Sequence, residues 1–517
     1  MRPDDLTGPE LRLWEAFAAG DEVDLRPGDT DGGADGGADG ETDGGADGGA
    51  DGETDGGADG GPVMNGRGWG PERQVRASVI RSLLLGAADS VSGETPMVHL
   101  VGARVLGKLR LVFAEVCCVL WLEKCWFEEA PQLYGAKLRV TSFGGSYLPG
   151  LGMGATTVDG NLDLMNCRVQ GGVSVHDARI SGSLLLQGAH LSHADGVALN
   201  ATRVETKGIV GTEGFRADGE LRLFQARLGE GLHLRGATLR HPGGEALSAT
   251  GIQVPTDIDC GEGFRAAGAI TLTSATVGGT VSFDTASLTP TRGNALSCAH
   301  LQAGELLLRP APASGGVDLR HAAIGVLRLH DDPHEQPPLR LDGLVYRSLE
   351  PHHPVDHHLE LLSRDPDGYR PQPYQQLATV HQSIGQDRDA RTVLLTRQRR
   401  RRTTLPWYAR AWGYVQDATV GYGYLPERAA VWLLALLATG ATVFGLYRPH
   451  PLGGTPHPVF HPVMYSLDLL LPVVDFGQER AFQPMGPPQW VAWLLIGAGW
   501  LLATALAAGV TRVLSRQ

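Results

Sequence analysis

Residues 158–191 read VDGNLDLMNCRVQGGVSVHDARISGSLLLQGAHL and hold three copies of one phrase, G-x-Φ-x-Φ-x-x-A/C-x-Φ, with Φ apolar. The copies begin at Gly160, Gly171 and Gly182, a period of 11 residues. A fixed internal period decides the architecture before any single residue does. The alternating pairs Leu162/Leu164, Val173/Val175 and Leu184/Leu186 read as short strands with apolar residues on one face. A glycine marks the bend before each strand, and Cys167, Ala178 and Ala189 place a small inward side chain where the next wall turns. Eleven residues are about half a coil of a parallel β-solenoid, and that is the predicted fold.

The phrase extends in both directions. GARVLGKLRLVFAEV (102–116) already carries it, and AGELLLRPA near Gly304 is the last clear copy, which bounds the solenoid at 95–345. A longer period overlies the short one. GFRA at Gly214 returns at Gly263, and Ala246-Leu247 returns at Ala295-Leu296, both 49 residues on. Two coils of roughly 22 residues plus a small loop fill that span. Within each 11-residue unit the inward positions split five and six, which resembles a degenerate pentapeptide-repeat, right-handed β-helix. A left-handed hexapeptide helix holds a strict six.

Outside the coils the chain changes character several times. Residues 1–27 open with a helix signal, Thr7 as cap, Glu10 three residues later, and Leu11, Leu13, Trp14 and Phe17 on one side. Residues 28–62 are an Asp/Gly insert built on the twelve-residue tandem repeat DGGADGGADGET, with no apolar side chain larger than alanine, and are predicted to be disordered. The insert holds eleven acids of a chain whose net charge is −13, so the remainder is close to neutral and nucleic acid is not an expected partner. Residues 71–94 are predicted to cap the solenoid, with Val75, Val79, Ile80, Leu83 and Leu84 on one helical face. All six cysteines (117, 118, 125, 167, 260 and 298) lie inside the repeats without ligand spacing and read as small core residues of a reducing compartment.

After the coils, residues 346–428 read as helical and Arg-rich, with a helical hairpin around Gly385 in which Tyr374, Leu377 and Val380 face Ala390, Val393 and Leu394. Two apolar stretches follow, 429–447 and 490–510, each long enough to cross a bilayer as a helix. Seven arginines precede the first, Arg512 and Arg516 follow the second, and the 448–489 loop has only Arg448 and Arg480. By the positive-inside rule both termini, the solenoid and the 511–517 tail face the cytoplasm, and 448–489 is extracytoplasmic.

Chemistry is harder to find. TVGYG at 419–423 spells a potassium filter, but it precedes both apolar stretches instead of lying between them. Asp468 and Asp475 stand in the apolar inter-span stretch HPVMYSLDLLLPVVDFGQ, where acids usually have a function; the stretch either lies at the outer interface or re-enters the membrane. His352, His353, His357 and His358 in HHPVDHH supply enough imidazoles for a metal, although Pro354 interrupts a regular helix. GLGMG (150–154) lacks the helix a dinucleotide loop needs. No catalytic or cofactor-binding residue is assigned, and no cofactor is specified.

Four segments together, LTGPELRLWEAF, the G-x-L-x-L-x-x-A coils, PQPYQQLATV with its following arginines, and YSLDLLLPVVDFGQ, are similar to a bacterial membrane-anchored β-helix family of unknown function. The resemblance covers nearly the whole chain apart from the insert. Such proteins are often labelled membrane-associated oxidoreductases, so the resemblance implies membrane association and a redox cofactor, with no established catalytic set. The expectation from the residues is a scaffold at the inner membrane, with the lipid bilayer and a protein on the solenoid surface as partners. An oxidoreductase and a small channel or sensor are the alternatives.

Overall fold

The structure is a computed structural model that describes residues 3–27, 65–88, 93–290, 293–311, 315–423, 426–453, 459–471 and 474–514. The Asp/Gly insert, 28–62, lies outside the described residues. The chain divides into a solenoid unit (1–353 with 364–367) and a helical unit (354–363 with 368–517).

The solenoid unit is a parallel β-solenoid of about 11 turns. Its strands lie in two parallel sheets, each 15-stranded among the described residues. Leu162 pairs with Leu184 and Arg168 with His190, so one coil takes 22 residues and the 11-residue phrase is half of it. Arg216 pairs with Thr238 and Thr238 with Arg265, which resolves the 49-residue period into one coil of 22 and one of 27. The added residues swing out as loops at 192–197 and 240–245, where the pairing register shifts. His193 and His241 close these loops, Nδ1 meeting the carbonyls of Val197 at 3.2 Å and Glu245 at 3.0 Å. One coil on, a Cβ at Gly219 or Gly268 would collide with the His193 or His241 carbonyl, at 2.4 and 2.7 Å.

Side-chain alternation does the rest. Leu162, Leu184, Ile209, Leu232, Ile258, Val281, Leu306, Leu327 and Leu349 stack in register, one per coil, and all are buried. Each removes most of a large aliphatic side chain from water, worth about 1.5–3 kcal/mol. At one corner a single residue per coil takes the left-handed conformation: Ala155, Asp177, Arg203, Gln225, Ser274, His300 and His321, with φ from 53 to 58°. Gly251 and Gly343 take the same corner elsewhere. The corner recurs because the backbone must turn while keeping its hydrogen bonds to both neighbouring coils. The two-coil unit also alternates volume. Phe215 and Phe264 fill the corner where Ala237 and Ala286 stand on the next coil, and all four are buried. Gly211 makes room for Phe215, since a Cβ there would lie 2.8 Å from its ring, and Cys260 holds the equivalent place 49 residues later.

The N-terminal segments depart from expectation. Residues 71–86 are not one helix: 3₁₀ turn Pro71–Arg73 and strand Gln74–Arg76 precede a shorter helix, Ala77–Leu84. Strands Glu22–Asp24 and Gln74–Arg76 pair with Met97–Val101 and Arg104–Leu106, so the first coil is assembled from both sides of the insert. Val75 is buried on the strand, not on the helix. Helix α1 (Gly8–Phe17) brings Glu10 to this coil, where its buried carboxylate accepts from the Arg76 backbone N–H at 2.9 Å and from Nε at 2.8 Å. Burial pushes the Glu10 carboxyl upward, but the Arg76 guanidinium and the Thr7 and Arg76 backbone donors outweigh it and hold the group at about 2. This clasp ties the chain to itself across 66 residues.

The cysteine expectation needs one correction. Five of the six are buried, whereas Cys117 is exposed, because it alternates with buried Val116 and Cys118 and so points outward. Burial pushes the Cys118 thiol up to about 11 and those of Cys125 and Cys167 to about 12.

Adjacent residues test the register. Leu184 is fully buried and Leu185 partly exposed on the opposite face. Leu184→Asp is expected to destabilise the solenoid by several kcal/mol, through an unpaired buried carboxyl, and Leu185→Asp by less than about 1 kcal/mol. Limited proteolysis and thermal melts compare the two; equal losses would mean that the inward face is misassigned.

Candidate functional site

Besides Glu10, two acids with several built-in partners, Asp417 and Asp468, lie in the helical unit. It opens with α3 (Val355–Ser363), which takes its label after α1 and helix α2 (Ala77–Leu84). Helices α4 (Pro371–Ser383) and α5 (Asp387–Thr403) form the hairpin read from the sequence, turning at Gly385 with φ of 78°. Tyr374, Leu377, Val380, Ala390, Val393 and Leu394 are all buried there. The arginines of α5 converge on one acid of α6 (Trp407–Val420). Asp417 accepts from Arg399 Nε at 2.9 Å and Arg402 Nη1 at 3.3 Å, and Arg428 approaches to 3.9 Å. Burial alone would raise the Asp417 carboxyl, but Arg399 and Arg402 outweigh it and keep the group below the ordinary carboxylate range. TVGYG has a plain structural role. Its first two residues end α6, Gly421 caps the helix at φ 52°, and Tyr422 continues the turn at φ 55°.

Helices α7 (Pro426–Leu446) and α9 (Pro487–Leu514) run antiparallel: Ala429 clusters with Leu502 at one end, and Phe444 with Ala492 and Leu495 at the other. Between them lies a short helix that alternation did not foretell, α8 (Pro462–Leu470). It enters by glycine. A Cβ at Gly440 of α7 would stand 2.7 Å from Ser466 Oγ, and one at Gly499 of α9 would stand 2.2 Å from the Leu470 carbonyl. Tyr465 is fully buried, its ring 4.9 Å from that of Phe444 in an edge-on pair. Helix α8 therefore wedges into the hairpin beside the middle of α9 instead of lying across its end.

Asp468 holds the returning chain. Its carboxylate, almost wholly buried, accepts three backbone N–H bonds, from Phe476 at 2.8 Å, Gln478 at 2.8 Å and Glu479 at 2.7 Å. Three such donors satisfy a buried anion without any cation. Asp475 differs: it accepts from the Gly477 N–H and meets Arg480 at 3.0 Å with its side chain 52% exposed. Of the two acids singled out in the sequence, Asp468 has a built site and Asp475 caps a surface turn. The signal for α8 was present in PVMYSLDLL, where Tyr465, Leu469 and Leu470 share a buried side, but the stretch is only nine residues long.

The four histidines fall on both sides of the division between units. His352 is exposed and His353 sits 3.6 Å from Asp331 in the solenoid unit. His357 and His358 belong to α3, where His358 is buried with its ring centroid 6.0 Å from that of His381. Helix α3 begins only after Pro354, so His353 and His357 do not share a helical face. Among the described residues no group of three or more His, Cys, Asp or Glu side chains is arranged to hold a metal.

The Asp468 clasp predicts an ordered set of stabilities. Asp468→Ala leaves three sheltered N–H groups without their acceptor, at about 1–3 kcal/mol for each that water cannot reach. Asp468→Asn, with one acceptor oxygen, should fall between Ala and wild type, and Asp475→Asn should melt close to wild type. Scanning fluorimetry in detergent measures the order; an unchanged melt for Asp468→Ala would remove the clasp from the account.

No family model, curated protein or solved structure matches this chain.

Proposed function

We propose that the chain is a membrane-anchored scaffold: a right-handed β-solenoid held on the cytoplasmic side of a bacterial inner membrane by the two-span hairpin α7/α9. The observation that carries the reading is that α7 is inside-out. Among the described residues, Arg428–Leu446 is the one helical segment long and apolar enough to cross a membrane, and only 17% of its apolar window is buried. Val431, Leu434 and Leu446 are each at least 65% exposed. A core helix of a soluble protein has the reverse arrangement, with its apolar face covered. Outward Trp490, Trp493, Leu494 and Trp500 give α9 the same character, and the Trp490–Trp493 pair suits a membrane–water interface. The arginine asymmetry supports both termini on the cytoplasmic side.

Scaffolding follows from repetition. The 192–197 and 240–245 loops stand two coils apart on one sheet, roughly 10 Å at 4.7–4.9 Å per coil. Equivalent features at even spacing suit an elongated protein partner better than a single small substrate. The redox activity of the resembling family rests on the resemblance alone. The channel-or-sensor reading has one observation in its favour, the α8 wedge, since a short helix inserted between two spans with its return chain clasped by Asp468 is the form of a re-entrant element.

Native Cys117 is an exposed reporter on the solenoid. Treated in intact cells with an impermeant maleimide, Cys117 is expected to react only after lysis. Met485, 62% exposed in the inter-span loop, replaced as Met485→Cys in a Cys117→Ser background, is expected to react without lysis. Reaction of Cys117 in intact cells would put the solenoid outside and end the cytoplasmic scaffold.

A further inference from the structure

Helix α6 carries its amphipathicity the wrong way round for a water-soluble helix. At 100° per residue, Tyr414, Trp407, Ala418, Ala411, Val415, Tyr408 and Trp412 fall on one side, with Thr419 the single polar residue among them. That apolar side is the exposed one: Trp407 is 78% exposed, Tyr408 64%, Tyr414 61% and Trp412 54%. The polar side faces protein. Asp417 is held by Arg399 and Arg402, and Gly413 is buried, with Arg402 Cδ 2.9 Å from where its Cβ would be. Arg402 also lies over the Tyr414 ring at 3.8 Å. So the side chains that fix α6 to its unit are the charged ones, and those offered outward are aromatic.

Two further features identify what covers that face. Trp432 of α7 donates Nε1–H to the Ala418 carbonyl at 3.0 Å, which fixes the C-terminal end of α6 beside the first turns of α7. Arg400 and Arg401 lie in the last turn of α5, and Arg410 stands beside the α6 apolar face, where it donates to the Leu405 and Thr403 carbonyls at 2.7 and 3.1 Å; all three are exposed. An exposed aromatic face preceded by exposed arginines and followed by the start of a span has the chemistry of an in-plane interfacial helix, with rings at headgroup depth and guanidinium groups among phosphates.

We propose that α6 lies in the cytoplasmic headgroup layer and binds anionic lipid, setting the juxtamembrane region down on acidic membrane. The inference rests on the reading of α7 as a span, and the test separates the two. Ala411→Cys, on the apolar face, and Leu434→Cys, outward on α7, are each made in a Cys117→Ser background and labelled with an environment-sensitive fluorophore. The full chain is reconstituted in nanodiscs of phosphatidylcholine with or without phosphatidylglycerol, and quenching is measured with shallow and deep spin-labelled lipids and with aqueous iodide.

The label at 434 should be quenched by the deep lipid in both compositions; its failure overturns the span itself. With 434 in lipid, the label at 411 should be quenched by the shallow lipid and shielded from iodide, more so with phosphatidylglycerol. Changing Arg400 and Arg401 to Gln should remove that increment, by about fivefold per arginine in the ratio of seated to lifted helix. Iodide access at 411 overturns the proposal, as does shielding from both quenchers, which is the signature of a protein cover. Equal quenching in the two lipid compositions overturns the anionic preference.

Discussion

Coil-on-coil register is the constraint from which the solenoid unit follows. Each strand must give its backbone hydrogen bonds to the coil before and the coil after, so the spacing between equivalent residues is set by the backbone and the side chains must match it. The ladder from Leu162 to Leu349 satisfies that demand on the inside, and the left-handed corner from Ala155 to His321 satisfies it at the turn. Insertions are tolerated only where register can shift without moving the ladder. The loops at 192–197 and 240–245 leave at such places, and Gly219 and Gly268 on the following coils give them room. The Asp/Gly insert obeys the same rule on a larger scale. It interrupts the first coil between two strands that still pair in register with the second, and Glu10 and Arg76 close the gap.

The helical unit is built on a different pattern. Asp417 is turned inward and paired with Arg399 and Arg402, while Trp407, Trp412, Trp490, Trp493 and Trp500 are turned outward. Where a backbone cannot pair within a helix, as in the chain returning from α8, Asp468 supplies the acceptors.

The solenoid was legible because its signal is repeated. Gly160, Gly171 and Gly182 gave the half-coil, and the return of GFRA after 49 residues gave the looped coil. The first coil was not legible, since Glu22–Asp24 and Gln74–Arg76 are three residues each and the first of them pairs with a strand beyond the insert. Cys117 looked like its neighbours because position in the repeat, not residue type, decides burial. In α6 the arginines drew the eye to charge, and only packing tells that Asp417 faces in and Trp412 out. Asp468 stood out as an acid in apolar sequence, but its partners are backbone N–H groups that no side-chain pattern announces. His353 and His357 do not share a helical face, because α3 begins only at Val355, after Pro354.

The central claim is that this chain is an integral membrane protein that displays a solenoid, and alkaline carbonate extraction of membranes from cells making the full chain tests it most directly. The account predicts that the chain stays in the membrane pellet at high pH and leaves it only with detergent. Release into the carbonate supernatant would contradict it, for outward tryptophans and leucines on α7 and α9 would then be covered by something other than lipid.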